Sequence, residues 1–252
     1  MIHRWLPAPV RARLREVFDR SRLDQADVAR VRDVTTAQWR TVGARVPHHA
    51  DAYWAGMDEQ AADNATKRRS EWLAGLPAFA SAASALELGC NVGRNLWALR
   101  QRHPALALAG VDIDAQAIAY ARTRVDADLV VGDLYDVEAA LGERTADVVF
   151  TMGVLIHLHP ATLPPLLVAM ARRARRHVIL VEQISAANVV VKGPARWRPE
   201  RRVTGDYIQW SPNLPAMLTT LGLRHTVETL PQAIAANGAR HVLFVDPESL
   251  AP

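Results

Sequence analysis

The stretch 85–96 has the residue types of a ligand-binding turn, between an apolar run and an amphipathic run. Gly89 and Gly93 allow the backbone to lie against a ligand. Asn91, between them, is the non-glycine residue type that best tolerates left-handed backbone geometry. Glu87, just before the turn, can meet a cationic amine. A nicotinamide-type fingerprint would need glycine where the chain has Asn91 and an arginine, so a dinucleotide is disfavoured.

Two further aspartates follow later apolar runs. Asp112 ends the second run, roughly 20 residues after the turn, where a carboxylate can accept both hydroxyls of a ribose. Asp114 is more simply a cap for the helix that begins at Ala115. Asp133 follows a third run, and taken alone it could equally be a turn residue. The order of the three carboxylates along the chain favours one shared ligand over coincidence.

The segment 147–160 carries the one good candidate for a general base, His157. It follows the fourth apolar run, and ligands bind at the carboxyl ends of strands in open α/β sheets. Imidazole titrates near neutrality, which suits removal of a proton from an acceptor. The alternative is that His157 only caps or packs at the start of a helix, and the sequence leaves both interpretations open.

The elements that must position these residues follow from an alternation of short apolar runs and amphipathic stretches, which is typical of βα units and a parallel sheet. The predicted strands cover 85–88, 107–111, 129–131, 148–151 and 178–181, and the predicted helices 95–102, 115–124 and 161–173. The runs 226–230 and 241–246 flank Asn237 and Gly238 and should pair as an antiparallel hairpin at the sheet edge. The predicted fold class is α/β: a Rossmann-like, doubly wound, mostly parallel sheet with this C-terminal hairpin and an α-helical N-terminal cap.

Helical spacing of apolar residues before the first strand predicts a helical cap or lid over residues 1–78. Residues 79–252 form the predicted main domain, with a lid-like insertion at about 186–212.

Composition narrows the class of protein. The 252 residues carry a formal charge of +4, but their arginines are mostly dispersed and no aromatic RNA-binding signature accompanies them, so we expect no nucleic-acid partner. The single cysteine, Cys90, excludes an intramolecular disulfide and a zinc-cysteine cluster, and no metal site is predicted. No apolar run is long enough to span a membrane. We therefore expect a cytoplasmic protein without membrane contact, and a homodimer is one assembly compatible with the sequence.

The ordered motifs resemble those of class I S-adenosylmethionine-dependent methyltransferases, whose first motif is usually written acidic-x-Gly-x-Gly-x-Gly. Asn91 replaces its middle glycine. The resemblance implies S-adenosyl-L-methionine as cofactor and S-adenosyl-L-homocysteine as product, with Asp133 on the exocyclic amine of adenine and the Leu134 backbone on a ring nitrogen. The full set of expected cofactor residues is Glu87, Gly89, Asn91, Gly93, Asn95, Asp112, Ile113, Asp133, Leu134, Thr151 and Met152.

The runs 86–93, 153–158 and 181–183 together resemble the methylases associated with pseudaminic acid and related surface-sugar pathways. The segment after Glu182 departs from that group because it lacks the expected tyrosines, and the first 50 residues have no clear match. The Asn/Asp-Pro-Pro-aromatic sequence of many nucleic-acid amine methyltransferases is also absent, which disfavours nucleobase methylation.

The acceptor is predicted from charge. Basic residues are concentrated in the segment 192–202, and arginine binds carboxylate and phosphate through a planar fork. We therefore expect a small, acidic acceptor, methylated on oxygen or nitrogen, although the cluster could equally be a solvated surface loop. The expected acceptor-binding residues are Tyr53, Trp54, His159, Glu182, Arg198 and Arg202.

Two other functions fit the same motifs. The fold can host another adenosyl-cofactor transferase such as an aminopropyl transferase, but that enzyme would favour an acidic pocket, whereas the segment 192–202 is basic. A non-catalytic, partner-binding subunit is the other alternative, and it would not need to retain Glu87, Asp112 and Asp133 together.

Overall fold

The structure is a computed structural model that describes residues 25–40, 49–57, 65–192, 209–235 and 240–250. Its centre is a seven-stranded sheet with the order β3-β2-β1-β4-β5-β9-β8, beside a two-stranded sheet of β6 and β7. The strands are β1 Ser84–Leu88, β2 Ala107–Asp112, β3 Asp128–Val131, β4 Ala146–Met152, β5 Ala174–Glu182, β6 Val189–Lys192, β7 Gln209–Ser211, β8 His225–Thr229 and β9 His241–Val245.

Strands β1 to β5 pair in parallel, and β9 and β8 continue the sheet antiparallel. The predicted fold class and the pairing of the two C-terminal runs are thus confirmed. The hairpin lies at the sheet edge as predicted, with β9 next to β5 and β8 outermost. Strand β9 ends one residue early because the Asp246 side chain accepts the Glu248 N–H and caps a 3₁₀ turn, Pro247–Ser249. The predicted Asn237 and Gly238 turn lies outside the described residues.

The described helices are α1 Gln25–Arg40, α2 His49–Trp54, α3 Ala65–Ala74, α4 Pro77–Ala80, α5 Arg94–Arg102, α6 Ala115–Ala121, α7 Val137–Leu141, α8 Leu163–Arg173 and α9 Leu214–Thr220. Asp114 caps α6 as predicted, since its Oδ1 accepts the Gln116 N–H at 2.9 Å. Pro164 and Pro165 stand in the first turn of α8, where no intrahelical N–H partner is needed.

Two apolar clusters cover the two faces of the sheet. One joins α3, α4, α5 and α6 to the sheet through residues such as Leu73, Phe79 and Phe150. The other joins α7, α8 and α9 to the opposite face through residues such as Val149 and Met170. Strands buried on both faces have continuous apolar sequences, which is why the parallel strands could be recognised. The strand order reverses between β1 and β4, and a crevice opens at such a point.

Helix α1 and strand β7 pack together through Val31 and Trp210, which form a small buried cluster. They stand next to the crevice, since both contribute residues to its lining. The predicted division at residue 78 and the lid at about 186–212 stay predictions. Among the described residues, no helix is long and apolar enough to cross a membrane.

Candidate active site

The carboxyl ends of β1, β2 and β4 open into a cavity of about 290 Å³. Its lining residues come from the sheet, the turns after the strands, and helices α1 and α3. They are Thr35, Thr36, Trp39, Arg69, Glu87, Gly89, Cys90, Asn91, Arg94, Asn95, Asp112, Ile113, Asp133, Leu134, Tyr135, Met152, Gly153, Val154, Ile156, His157, Leu158 and Gln209. Most of the predicted cofactor residues therefore border one cavity.

The turn after β1 has the backbone geometry that its sequence suggested. Asn91 has φ 48°, and among the described residues it is the only non-glycine residue with positive φ. Its Oδ1 accepts the Val92 N–H at 2.8 Å, and its own N–H donates to Asp112 Oδ2 at 2.7 Å. Asn91 thus occupies the left-handed position of the absent glycine and connects the turn to β2.

This geometry predicts different stabilities for two small substitutions. Both lose the hydrogen bond from the Val92 N–H, but Asn91→Gly removes the penalty of a left-handed backbone, whereas Asn91→Ala keeps it. We expect the alanine variant to be less stable than the glycine variant by about 1–2 kcal/mol. Urea unfolding of the pair measures this difference, and equal free energies of unfolding would contradict the assignment.

The two glycines of the turn leave room for side chains of neighbouring segments. A Cβ at Gly89, where φ is 75°, would lie 2.5 Å from a Val154 methyl. A Cβ at Gly93 would lie 3.2 Å from Ala121 and from Val125, and Gly93 does not line the cavity. Gly89 therefore makes room for the turn after β4, and Gly93 for helix α6. Gly89 also lines the cavity, whereas the predicted approach of Gly93 to a ligand stays a prediction.

Glu87 is a buried carboxylate at the end of the cavity nearest β1, with 1% of its surface exposed. Its Oε1 accepts the Asn95 amide at 2.6 Å, and Asn95 Oδ1 accepts the Ser70 hydroxyl at 2.7 Å. Its Oε2 has no hydrogen-bond partner among the described residues. Burial raises the pKa of Glu87 to about 8, against the lowering effects of Asn95 and Arg94. A cation placed here would satisfy the remaining oxygen and favour the ionised carboxylate.

Asp112 is held rigidly at the end of β2. Its Oδ2 accepts the Asn91 N–H at 2.7 Å, and its Oδ1 accepts the Asp114 N–H at 2.9 Å. Burial raises the pKa of Asp112 to about 6, and these backbone donors oppose the rise. Because each carboxylate oxygen can accept more than one hydrogen bond, both retain capacity for ligand hydroxyls.

Asp133 lies at the far end of the cavity, beside Leu134. Its Oδ1 accepts the Tyr135 N–H at 3.0 Å. Its Oδ2 faces helix α1 and accepts hydrogen bonds from Arg40 at 3.3 Å and from the Thr36 hydroxyl at 3.4 Å. Helix α1 therefore closes this end of the cavity.

His157 lines the cavity from a 3₁₀ turn, Leu155–His157. Its ring centroid lies 4.7 Å from that of Trp39 on α1, with the planes tilted by 60°. The neighbouring Tyr135 phenol oxygen accepts the His159 N–H at 3.2 Å. The imidazole thus projects from the turn after β4 and packs against Trp39 of helix α1.

Four other predicted site residues do not line the cavity. Thr151 is fully buried and lies near Glu182, whose Oε1 accepts the Val154 N–H at 3.1 Å. His159 is 1% exposed, caps the turn Pro160–Thr162 through its Nδ1, and packs on Trp210. Trp54 packs against Trp97 in a separate apolar cluster. These four residues thus lie outside the cavity, and the acceptor roles of Glu182, His159 and Trp54 and the cofactor role of Thr151 stay predictions.

The remaining predicted acceptor residues cannot be placed. Arg198 and Arg202 lie outside the described residues, as does the side chain of Tyr53.

Sequence reasoning missed several cavity residues because they come from distant segments. Arg69, on α3, lines the cavity and donates from its Nε to the Ile234 carbonyl at 2.6 Å. Burial, with a smaller effect of Arg94, lowers the pKa of Arg69. Trp39 and Gln209 reach the cavity from α1 and β7. No local motif marks these positions, although Arg94 directly follows the recognised turn.

Residues 85–177 match the family model described as a methyltransferase domain. Comparison with curated protein sequences finds no match. A similar solved structure is an O-methyltransferase family protein from Burkholderia thailandensis, with 15% identity and a TM-score of 0.55 over 83% of this chain and 63% of that one. The chain therefore spans less than two thirds of that relative.

Two further structures are similar over most of their own length. Magnesium protoporphyrin IX methyltransferase from Synechocystis PCC 6803, with bound SAM, has 15% identity and a TM-score of 0.56 over 86% of this chain and 97% of that one. The sugar N-methyltransferase KedS8 from Streptoalloteichus sp ATCC 53650 has 18% identity and a TM-score of 0.52 over 78% of this chain and 91% of that one. The chain thus has the Rossmann-like fold of these methyltransferases, and its segment 85–177 matches the methyltransferase domain.

Proposed function

We propose that the protein is an S-adenosylmethionine-dependent methyltransferase that acts on a small-molecule acceptor. The observation that carries the proposal is the row of carboxylates Glu87, Asp112 and Asp133 at the ends of β1, β2 and β3, all bordering one cavity. Their order and spacing suit a cationic amine, a ribose diol and an adenine amine. The match of residues 85–177 to the methyltransferase domain supports the same assignment.

The Glu87 end of the cavity suits a zwitterionic amino acid. Among the described residues Glu87 Oε2 has no hydrogen-bond partner, and Arg69 and Arg94 line the same cavity. We assign the cofactor's ammonium to Glu87 and its carboxylate to these arginines. Asp112 takes the ribose hydroxyls, and Asp133 with Leu134 takes the adenine.

When bound, the cofactor supplies an electrophilic methyl group on a sulfonium. The protein's contribution is chiefly to hold donor and acceptor in line and to exclude water. Helix α1 and strand β7 contribute to this exclusion of water, because Trp39 and Gln209 line the cavity. His157 lies on the same side and can accept the acceptor proton at an imidazole nitrogen.

Titration calorimetry with S-adenosylhomocysteine tests the proposal directly. We expect binding in the micromolar range and no binding of a nicotinamide dinucleotide. Binding of the dinucleotide without binding of S-adenosylhomocysteine would refute the proposed function.

The proposed base role of His157 predicts a selective kinetic defect. His157→Ala should lower turnover by about 10² while leaving the affinity for S-adenosylhomocysteine nearly unchanged. His159→Ala is the control, because His159 is buried outside the cavity. Unchanged turnover in the His157 variant would show that the imidazole only packs against Trp39.

The acceptor remains a proposal founded on the sequence. The basic segment 192–202, with Arg198 and Arg202, favours a small acidic metabolite such as a sugar, an amino acid or another carboxylated compound. The resemblance to surface-sugar methylases points the same way. Coupled detection of S-adenosylhomocysteine with acidic sugars, neutral sugars and amines as matched acceptor sets would test this choice, and efficient turnover of the amines alone would contradict it.

A further inference from the structure

Glu182 is a buried acid outside the cavity that the proposed chemistry does not use. It ends β5 and has 0% of its surface exposed. Its Oε1 accepts the Val154 N–H at 3.1 Å, and the Leu155 and Ile156 N–H groups lie close enough to lower its pKa. The polar contacts of this carboxylate are therefore concentrated on the turn that follows β4.

That turn, residues 153–157, forms one wall of the cavity. Gly153 begins it with φ 68° and donates its N–H to the Val181 carbonyl at 2.9 Å. Val154 packs onto Gly89, where even a Cβ would not fit. Ile156 and His157 line the cavity directly. The position of the 153–157 turn therefore determines both its contact with Gly89, in the turn after β1, and the position of the His157 imidazole.

The chemistry of these partners explains why the buried group is an acid. The first N–H groups of a helical turn lack intrahelical acceptors, and leaving them buried and unpaired is costly. A carboxylate has about four acceptor sites and can serve several donors at once. An amide has one acceptor oxygen and would turn an NH₂ group towards some of them. Burial alone would favour the neutral acid, and it raises the pKa of Glu182 to about 7 against the opposing effect of these donors.

We propose that Glu182 is a positioning residue: it holds the 153–157 turn in place and thereby sets the cavity wall and the location of His157. The positioning claim itself stands on these contacts, and its link to methyl transfer rests on the proposed function. Glu182 does not touch the ligand cavity, so it acts through Val154, Ile156 and His157.

The test compares Glu182→Gln with Asp147→Asn. Asp147 is a matched control because it is a largely buried carboxylate at the opposite end of β4, where it accepts the Ala83 N–H at 2.6 Å. In Glu182→Gln we expect the amides of residues 154–156 to exchange with deuterium at least about tenfold faster, since local opening sets exchange. In the control those amides should keep their wild-type rates.

The second readout is a nuclear magnetic resonance signature of His157. With ¹³C-labelled histidine, the ring signals of His157 should carry a ring-current shift from Trp39, and a His157→Gln spectrum assigns them. We expect these signals to move towards free histidine in Glu182→Gln and to stay in place in Asp147→Asn. The affinity for S-adenosylhomocysteine should fall about tenfold in Glu182→Gln only.

A folded Glu182→Gln protein with wild-type exchange at 154–156 and an unmoved His157 signal would overturn the proposal. If that variant does not fold, Glu182→Asp decides, because it keeps the carboxylate but withdraws it from the Val154 N–H by one methylene. In Glu182→Asp the amides of residues 154–156 should exchange about threefold faster than in the wild type, and the His157 signals should move in the same direction. Wild-type exchange rates and unmoved His157 signals would overturn the proposal. Absence of S-adenosylhomocysteine binding in the wild type would refute the proposed function, while exchange and the His157 signal would still decide the role of Glu182.

Discussion

Replacing Asp112 with alanine is expected to weaken the binding of S-adenosylhomocysteine by at least about a hundredfold. Two ribose hydroxyls lose a charged acceptor, and hydrogen bonds to charged groups contribute about 1.5–3 kcal/mol each. In addition, the Asn91 N–H loses its acceptor, which lies at 2.7 Å, so the turn after β1 loses its hydrogen bond to β2. Both effects act on the ligand site, so the loss should exceed that of a single hydrogen bond.

The matched control for this variant is Asp114→Ala. Asp114 stands two residues away but caps helix α6 through the Gln116 N–H. Its loss should lower the free energy of unfolding by about 1 kcal/mol and leave affinity for the ligand nearly unchanged. Calorimetry and urea unfolding on both variants separate these effects. Normal binding by Asp112→Ala would move the ribose role elsewhere, with Asp114 the first residue to test.

Most of the sheet could be predicted because its central strands, such as β1 and β4, are buried on both faces and therefore mostly apolar. Strand ends were less predictable, as β5 shows. It begins at Ala174 and includes Arg175, which donates to Asp147 at 2.8 Å and to the Ser84 hydroxyl at 2.7 Å. Specific partners on neighbouring strands allow a charged residue within the strand, and no periodicity in the sequence reveals such partners.

The cavity, like the sheet, has a part that could be predicted from the sequence and a part that could not. One part of it consists of short local motifs at strand ends, so the places of Glu87, Asp112 and Asp133 at the carboxyl ends of the strands could be predicted in order. Its other walls come from tertiary packing, as when α1 brings Trp39 against His157. The sequence carries no local sign of such pairs. Buried polar residues near the cavity are also hard to separate from lining residues by sequence, since Glu182 contacts the cavity wall without lining the cavity.

The raised pKa of Glu87 predicts how ligand binding depends on pH. In the free protein burial raises this pKa to about 8, so at pH 7 most molecules carry a neutral Glu87. A ligand ammonium favours the carboxylate and lowers its pKa in the complex. Binding at pH 7 must therefore release close to one proton. We expect the affinity for S-adenosylhomocysteine to rise with pH by up to about tenfold per unit between pH 6.5 and 8, and then to level off.

Glu87→Gln and adenosine separate this effect from other titrations in the cavity. The variant cannot ionise, so its affinity for S-adenosylhomocysteine should be flat over this pH range and, at pH 8, about a hundredfold or more below wild type, because breaking a buried ion pair costs about 3–5 kcal/mol. Adenosine lacks the ammonium and should bind the wild-type protein with little dependence on pH above 6.5, even though burial raises the pKa of Asp112 to about 6. Calorimetry in two buffers of different ionisation enthalpy counts the released protons. An equal slope for adenosine, or proton release that persists in Glu87→Gln, would assign the titration to another group and remove Glu87 from the ammonium site.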